Sequence, residues 1–162
     1  MRIIKVKCNS DYILICFVIV EDFGKLGFRN ARVGAYMDYL NTWGYYRGFV
    51  GISDDMVDDE CREAFNSIHP HGKVFYCTGV NGEMLTIVYG EKSFKVSSKL
   101  YRCVEEPKFK VGELVEVIEK NIGGRIEDIF WHVKNAEPYY ILEIRGRKSG
   151  MWYKDCDLRK QK

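Results

Sequence analysis

The chain has 162 residues, of which 46% are hydrophobic and 30% are charged, and its formal net charge is +2 at pH 7. This balance is typical of a folded globular chain and excludes a disordered tail. The net charge is too small to indicate binding to nucleic acid or to an anionic membrane by itself. The length allows one ordinary domain or two small ones.

The first forty residues are predicted to form two strands and a helix. Apolar patterns predict strands over residues 2–8 and 12–22. The run Tyr12–Val20 has nine apolar residues, whereas a membrane-spanning helix needs about 20. The acidic residues after it do not fit a signal-peptide cleavage site, so we expect a cytoplasmic protein. Asn30 is predicted to cap the first helix, whose apolar face comprises Val33, Tyr36, Met37 and Leu40.

A further strand is predicted near residues 45–53, and a second helix follows it. An apolar stripe at helical spacing marks this helix. Acidic residues crowd its first turn, where they favour the positive end of the helix dipole. The stripe consists of Val57, Cys61, Ala64, Phe65 and Ile68.

From residue 73 onward the pattern changes to strands. Strands over 73–80 and 83–90 are joined by Asn81-Gly82, a strong signal for a β-hairpin. A third strand is predicted over 93–104. Glu105, Glu106 and Pro107 then interrupt the pattern. We therefore predict a boundary between an α+β domain over 1–106, which ends in a β-meander, and a second domain over 107–162.

The start of the second domain carries a resemblance. The stretch Phe109–Ile129, FKVGELVEVIEKNIGGRIEDI, resembles the opening of small barrels of the Src-homology-3, Tudor and KOW kind, although the full KOW signature is absent. The resemblance implies a small antiparallel β-barrel. The predicted fold class is therefore α+β, with an N-terminal mixed part that has two helices, followed by a Src-homology-3-like barrel. Its predicted core comprises Val115, Val117, Ile126, Tyr140, Leu142 and Ile144.

Two stretches of the chain have a similar pattern. Residues 85–104, LTIVYGEKSFKVSSKLYRCV, and residues 141–160, ILEIRGRKSGMWYKDCDLRK, each run from an apolar strand through a glycine to a Lys-Ser pair. Duplication of one module would produce this similarity. Independent use of the same hairpin chemistry would produce it as well. Of the two explanations, the sequence favours independent use of the same hairpin chemistry.

No catalytic or metal-binding pattern emerges from the cysteines and histidines. Cys61, His69, His71 and Cys77 are spaced unlike any usual zinc finger. The same residues lack a third orienting group for a nucleophilic Cys-His pair. We predict no metal and no cofactor, and reduced cysteines. An enzyme that uses these Cys and His residues is the second alternative to the function described next.

Aromatic and basic residues provide the candidate binding site, because this combination is enriched in binding hot spots. The predicted function is non-enzymatic binding of a macromolecule, another protein first, as in an inhibitor or immunity-type protein of bacterial or mobile-element origin. Nucleic-acid binding is the alternative, because Arg145 to Lys162 contains seven basic and two acidic residues. The candidate residues are Trp43, Tyr45, Tyr46, Trp131, Tyr139, Arg145, Arg147, Lys148, Trp152 and Tyr153.

Overall fold

The computed structural model describes residues 38–47 and 56–161, which belong to the second of the two units, Met37–Lys162, into which the chain divides. The predicted strands over 2–8 and 12–22 and most of the predicted first helix lie outside these residues. Within the described ranges, no helix is long and apolar enough to cross a membrane.

The first sheet has five antiparallel strands. They are β1 (Trp43–Tyr46), β2 (Val74–Asn81), β3 (Met84–Tyr89), β4 (Lys92–Ser97) and β5 (Tyr101–Val104), in the spatial order β4-β3-β2-β1-β5. The predicted hairpin at Asn81-Gly82 is confirmed, and Gly82 has the positive φ of 60° that glycine adopts without strain. The predicted strand over 93–104 is divided by a 3₁₀ turn, Ser98–Leu100. This turn lets β5 leave β4 and pair with β1 on the opposite edge.

One short helix connects β1 to β2 within the described residues. A 3₁₀ turn, Asp59–Cys61, leads into α1, Arg62–Ser67. The Asp58 carboxylate caps the 3₁₀ turn by accepting a hydrogen bond from the Glu60 N–H at 3.0 Å. Phe65 projects from α1 into the interior and is fully buried. Its ring packs edge-on against that of Tyr46, with ring centroids 5.1 Å apart.

The second sheet also has five antiparallel strands. They are β6 (Leu114–Val117), β7 (Ile122–His132), β8 (Glu137–Ile144), β9 (Arg147–Lys148) and β10 (Leu158–Lys160), in the order β10-β6-β7-β8-β9. A 3₁₀ turn, Asp155–Asp157, precedes β10. The predicted core residues of this half are buried, except that Ile144 is half-buried. The second sheet therefore has the expected inner face.

The predicted barrel and the predicted α+β class are wrong. Both sheets are open and antiparallel, and the described residues are mostly β with one α-helix rather than a two-helix part followed by a barrel. The edge strands β9 and β10 have only two and three residues and do not pair with each other. We call the buried residues beneath the first sheet the first core and those beneath the second sheet the second core. The open side of the second core is instead covered by residues of the first sheet, namely Val74, Trp43 and Tyr45. Burial by a neighbouring sheet replaces barrel closure.

The two sheets have the same strand order. In each, four strands follow one another as a meander, and a fifth strand returns after a 3₁₀ turn to pair with the first. The similar stretches 85–104 and 141–160 occupy equivalent places, from the third strand of each sheet to its last. Their shared pattern therefore has a shared structural role. The division into domains over 1–106 and 107–162 remains a prediction.

Candidate functional site

A buried charged network joins the two sheets. Lys73, which directly precedes β2, and Asp128 in β7 form an ion pair, with side chains 8% and 5% exposed. The Asp128 carboxylate also accepts hydrogen bonds from the Tyr89 hydroxyl and from Lys148. Asp128 lies where the pairing of β7 with β8 shifts by one residue, at a β-bulge that sets its direction. Every charge in this network has a partner.

The pKa values of this network follow from its contacts. Burial alone would raise the pKa of the Asp128 carboxyl, but hydrogen bonds from Lys148, Lys73 and Tyr89 outweigh burial and lower it. Burial raises the pKa of the Tyr89 phenol, and the adjacent Asp128 charge raises it further. Asp128 is therefore ionised and Tyr89 is neutral at physiological pH, so the network is a stable charged junction.

Aromatic side chains form a row beside this junction, on the side of the second sheet that faces away from its core. Phe130 and Tyr139 lie opposite each other in β7 and β8, and Trp152 covers both, with ring centroids 5.1 and 6.1 Å away. His132 packs against Tyr139 at 5.1 Å. We call Phe130, His132, Tyr139 and Trp152 the aromatic face. Its most accessible member is Trp152, which is 52% exposed.

Trp152 and Tyr153 point in opposite directions, because successive side chains of an extended segment alternate between its two sides. Tyr153 is only 5% exposed and forms two backbone hydrogen bonds with Tyr140, of 2.8 and 2.9 Å. These bonds hold the segment after β9 against the edge of β8. Tyr153 therefore fixes the position of Trp152 and is itself part of the core.

The basic residues near the aromatic face are largely neutralised. Lys148 pairs with Asp128 and, at 3.3 Å, with Glu127. Lys154 pairs with Glu137 at 2.8 Å, and this contact lowers the pKa of the Glu137 carboxyl. Further along, Arg159 pairs with Glu116 and Lys160 with Glu113, each at 2.8 Å. The basic character of the C-terminal sequence is therefore offset by acidic residues from other strands.

The comparisons with known proteins identify a family. The sequence profile of a family of unknown function, DUF6960, matches residues 37–159. The chain belongs to this family. A search of curated proteins finds no match. The match to DUF6960 covers both sheets, so the aromatic face and the charged junction both lie within the family's region.

The structure places the predicted site residues of this DUF6960 member in several locations. Tyr139, Lys148 and Trp152 lie at or beside the aromatic face. Arg145 in the β8–β9 turn and Arg147 in β9 are exposed and form no ion pair with any described residue. The remaining aromatic residues lie elsewhere: Trp131, Trp43 and Tyr45 are partly buried against the second core, and Tyr46 and Tyr153 are buried.

The sequence prediction of the site missed Phe130, Lys73, Tyr89 and Asp128. Phe130 could have been found, since it alternates with the inward residues Ile129 and Trp131 on β7. The pairing of Lys73 with Asp128 could not, because 55 positions separate them and Lys73 leads into the first sheet whereas Asp128 lies in the second. A local pattern carries no information on such a contact.

The cysteines and histidines considered for zinc do not form a cluster in the described part of the chain. The Cys77 thiol is buried in the first core, whereas the Cys61 thiol accepts a hydrogen bond from the Lys95 N–H at 3.3 Å. We expect treatment with a metal chelator to leave the melting temperature unchanged, because no metal bond would be lost. Thermal unfolding with and without chelator measures this. A chelator-induced decrease, reproduced by Cys61→Ala, would contradict it.

Proposed function

We propose that this protein is a non-enzymatic binding protein and that its aromatic face binds another protein. One observation carries the proposal: Trp152 is held 52% exposed on top of Phe130 and Tyr139. A large ring fixed by its neighbours loses little conformational freedom on binding, and tryptophan and tyrosine are enriched in binding hot spots.

The charges around the aromatic face support a protein partner more than a nucleic acid. Nucleic-acid binding depends on basic groups that can neutralise phosphates. Lys148 and Lys154 are already paired with carboxylates of this chain. The surface surrounding the rings thus alternates in charge, as the polar rim of a protein interface does. An inhibitor or immunity-type role is consistent with such a surface.

A cytoplasmic location is part of this proposal. The structure describes four of the six cysteines, Cys61, Cys77, Cys103 and Cys156, and all four are free thiols. Two of them, Cys103 and Cys156, are exposed. Exposed thiols persist in a reducing compartment, which supports the cytoplasm.

A site-specific crosslink tests the partner class. A photoreactive phenylalanine analogue at position 152 is expected to form a discrete crosslinked product in native lysate that protease removes and nuclease leaves intact. The matched control carries the analogue at Leu114, which is also 52% exposed but lies on β6 opposite Arg125. Equal products from both positions, or loss of the product on nuclease treatment, would contradict a protein site at the aromatic face.

Once the crosslinked partner is purified, Trp152→Ala is expected to weaken its binding by about 2 kcal/mol or more, as is usual for a hot-spot residue. Leu114→Ala should change the affinity by less than about 0.5 kcal/mol. Titration calorimetry measures both. An affinity that is the same for Trp152→Ala and for the parent protein would place the site elsewhere.

A further inference from the structure

A groove of about 470 Å³ lies between the first sheet and the connection that leads from β5 to β6. Its wall is formed by the side of β1, β2 and β3 that faces away from the first core. The opposite side is formed by the connection, through Glu106, Lys110 and Val111. This volume lies within the range of pockets that hold small ligands. None of these residues belongs to the aromatic face.

Two aromatic rings dominate the wall of the groove. Trp43 and Tyr76 are directly opposite each other in the β1–β2 pairing, and their ring centroids are 5.0 Å apart. The ring planes meet at 48°. The Lys110 ammonium lies over the Trp43 ring, 5.8 Å from its centroid. A flat ligand ring can therefore lie on the Tyr76 ring and meet the edge of Trp43, and both arrangements are favourable for aromatic pairs. Val88 and Val111 add apolar surface.

The rim of the groove is polar but has no net charge. The Glu106 carboxylate and the Lys110 ammonium lie 3.6 Å apart and offset each other. The Asn41 side-chain oxygen accepts a hydrogen bond from the Tyr76 hydroxyl at 3.3 Å. Its amide nitrogen has no hydrogen-bond partner among the described residues and is therefore available to donate. The rim can both donate to and accept from an uncharged ligand.

We propose that this groove binds an uncharged nucleobase-type ring, such as that of a purine or pyrimidine nucleoside without phosphate. Such a ring is flat and stacks on aromatic side chains whichever base it is. Its edge presents donors and acceptors that match an amide and a carboxylate. Within the described part of the chain, the rim offers no unpaired cation to a phosphate group, because Lys110 is paired with Glu106.

Proton NMR of the indole N–H groups tests the proposal, because the chain has three tryptophans. Adenosine and cytidine are titrated to about 10 mM, a range that detects dissociation constants near 1 mM. We expect the Trp43 signal, assigned by its loss in Trp43→Phe, to shift and saturate. The signals of Trp131 and Trp152 should stay in place. A shift confined to Trp152 would overturn the groove proposal and would favour a nucleic acid over a protein at the aromatic face, whereas the absence of any shift would overturn the groove proposal alone.

Variants and other ligands complete the test. Tyr76→Ala is expected to weaken nucleoside binding about tenfold through lost stacking. Asn41→Ala should weaken it as well, and it should also lower stability by about 1 kcal/mol, because alanine adopts the positive φ of Asn41, 59°, less readily than asparagine. Val133→Ala is the control, because Val133 is 64% exposed and outside the groove. The proposal fails if neither nucleoside shifts the Trp43 signal, or if maltose shifts it equally. It also fails if adenosine monophosphate binds more tightly than adenosine. Among the variants, nucleoside affinities of Asn41→Ala and Tyr76→Ala equal to that of the parent protein would contradict it.

Discussion

Asp128→Asn is expected to lower the free energy of unfolding by about 3–5 kcal/mol, the range observed when one partner of a buried ion pair is removed. The substitution preserves the size of the side chain but leaves Lys73, which is 7% exposed, without its counter-charge. Urea denaturation monitored by circular dichroism measures the effect. A loss of less than about 1 kcal/mol would show that the junction is unimportant for stability.

Two further variants test whether the loss of stability in Asp128→Asn comes from the unpaired buried charge. Asp59→Asn makes the same chemical change in an ion pair with Arg62, but the Asp59 side chain is 85% exposed. Exposed ion pairs contribute little, so a loss below about 1 kcal/mol is expected there. Combining Lys73→Met with Asp128→Asn should recover part of the stability lost in Asp128→Asn alone, because no buried charge then lacks its partner.

The pH dependence of stability provides an independent measurement of the same network. The pKa of Asp128 is lowered in the folded state, so its stabilising contribution is present above the ordinary aspartate value of 3.8 and is lost as pH falls below that value towards the folded pKa. The stability difference between the parent protein and Asp128→Asn should therefore narrow as the pH falls below about 3.8. Urea titrations at several acidic pH values reveal the trend, and a constant difference would contradict it.

Gly44→Ala is expected to destabilise the first sheet by about 3 kcal/mol, at the upper end of the usual cost of overpacking. A Cβ atom on Gly44 would overlap the ring atoms Cζ and Cε1 of Tyr101 and lie 2.8 Å from the backbone oxygen of Arg102. The Tyr101 ring is fully buried and cannot withdraw easily, since its hydroxyl lies 3.0 Å from the Thr42 oxygen and 3.2 Å from the Phe75 oxygen.

Thermal and urea unfolding of Gly44→Ala and of Gly123→Ala measures this effect. A Cβ on Gly123 would approach only the flexible, exposed end of Gln161, at 3.2 Å, so the control should lose less than about 0.5 kcal/mol. In a double-mutant cycle, Tyr101→Leu should reduce the cost of Gly44→Ala, because the clash with the ring is then removed. Additive losses would mean that the ring is not the cause.

Sequence patterns predicted the parts of this fold that depend on neighbouring residues. Alternation identified the inner row from Tyr140 to Leu142, and Asn81-Gly82 identified a hairpin, because both signals are local. The closure of a sheet depends on whether distant edge strands reach each other, and β9 and β10 are too short for that. The resemblance of Phe109–Ile129 to small barrels covered only β6 and most of β7, so it contained no information on closure.

For the candidate site too, the sequence predicted only the features that depend on neighbouring residues. The exposure of one ring of the pair Trp152 and Tyr153 followed from alternation, and the structure shows that it is Trp152. The basic residues of the C-terminal stretch indicated a cationic surface, yet Glu116, Glu137 and Asp128 neutralise three of them from other strands. Local charge counts omit such partners, because the partners become neighbours only after folding.

The position of strand β2 has a consequence for how the protein unfolds. Its backbone pairs within the first sheet, while Val74 packs in the second core and the peptides around Gly72 and Lys73 contact β7. Opening either sheet therefore removes a wall of the other and exposes a buried charge. Sub-global openings that release only one sheet are thus costly, and amide protons in the centres of β2 and β7 should exchange with solvent through the same cooperative event.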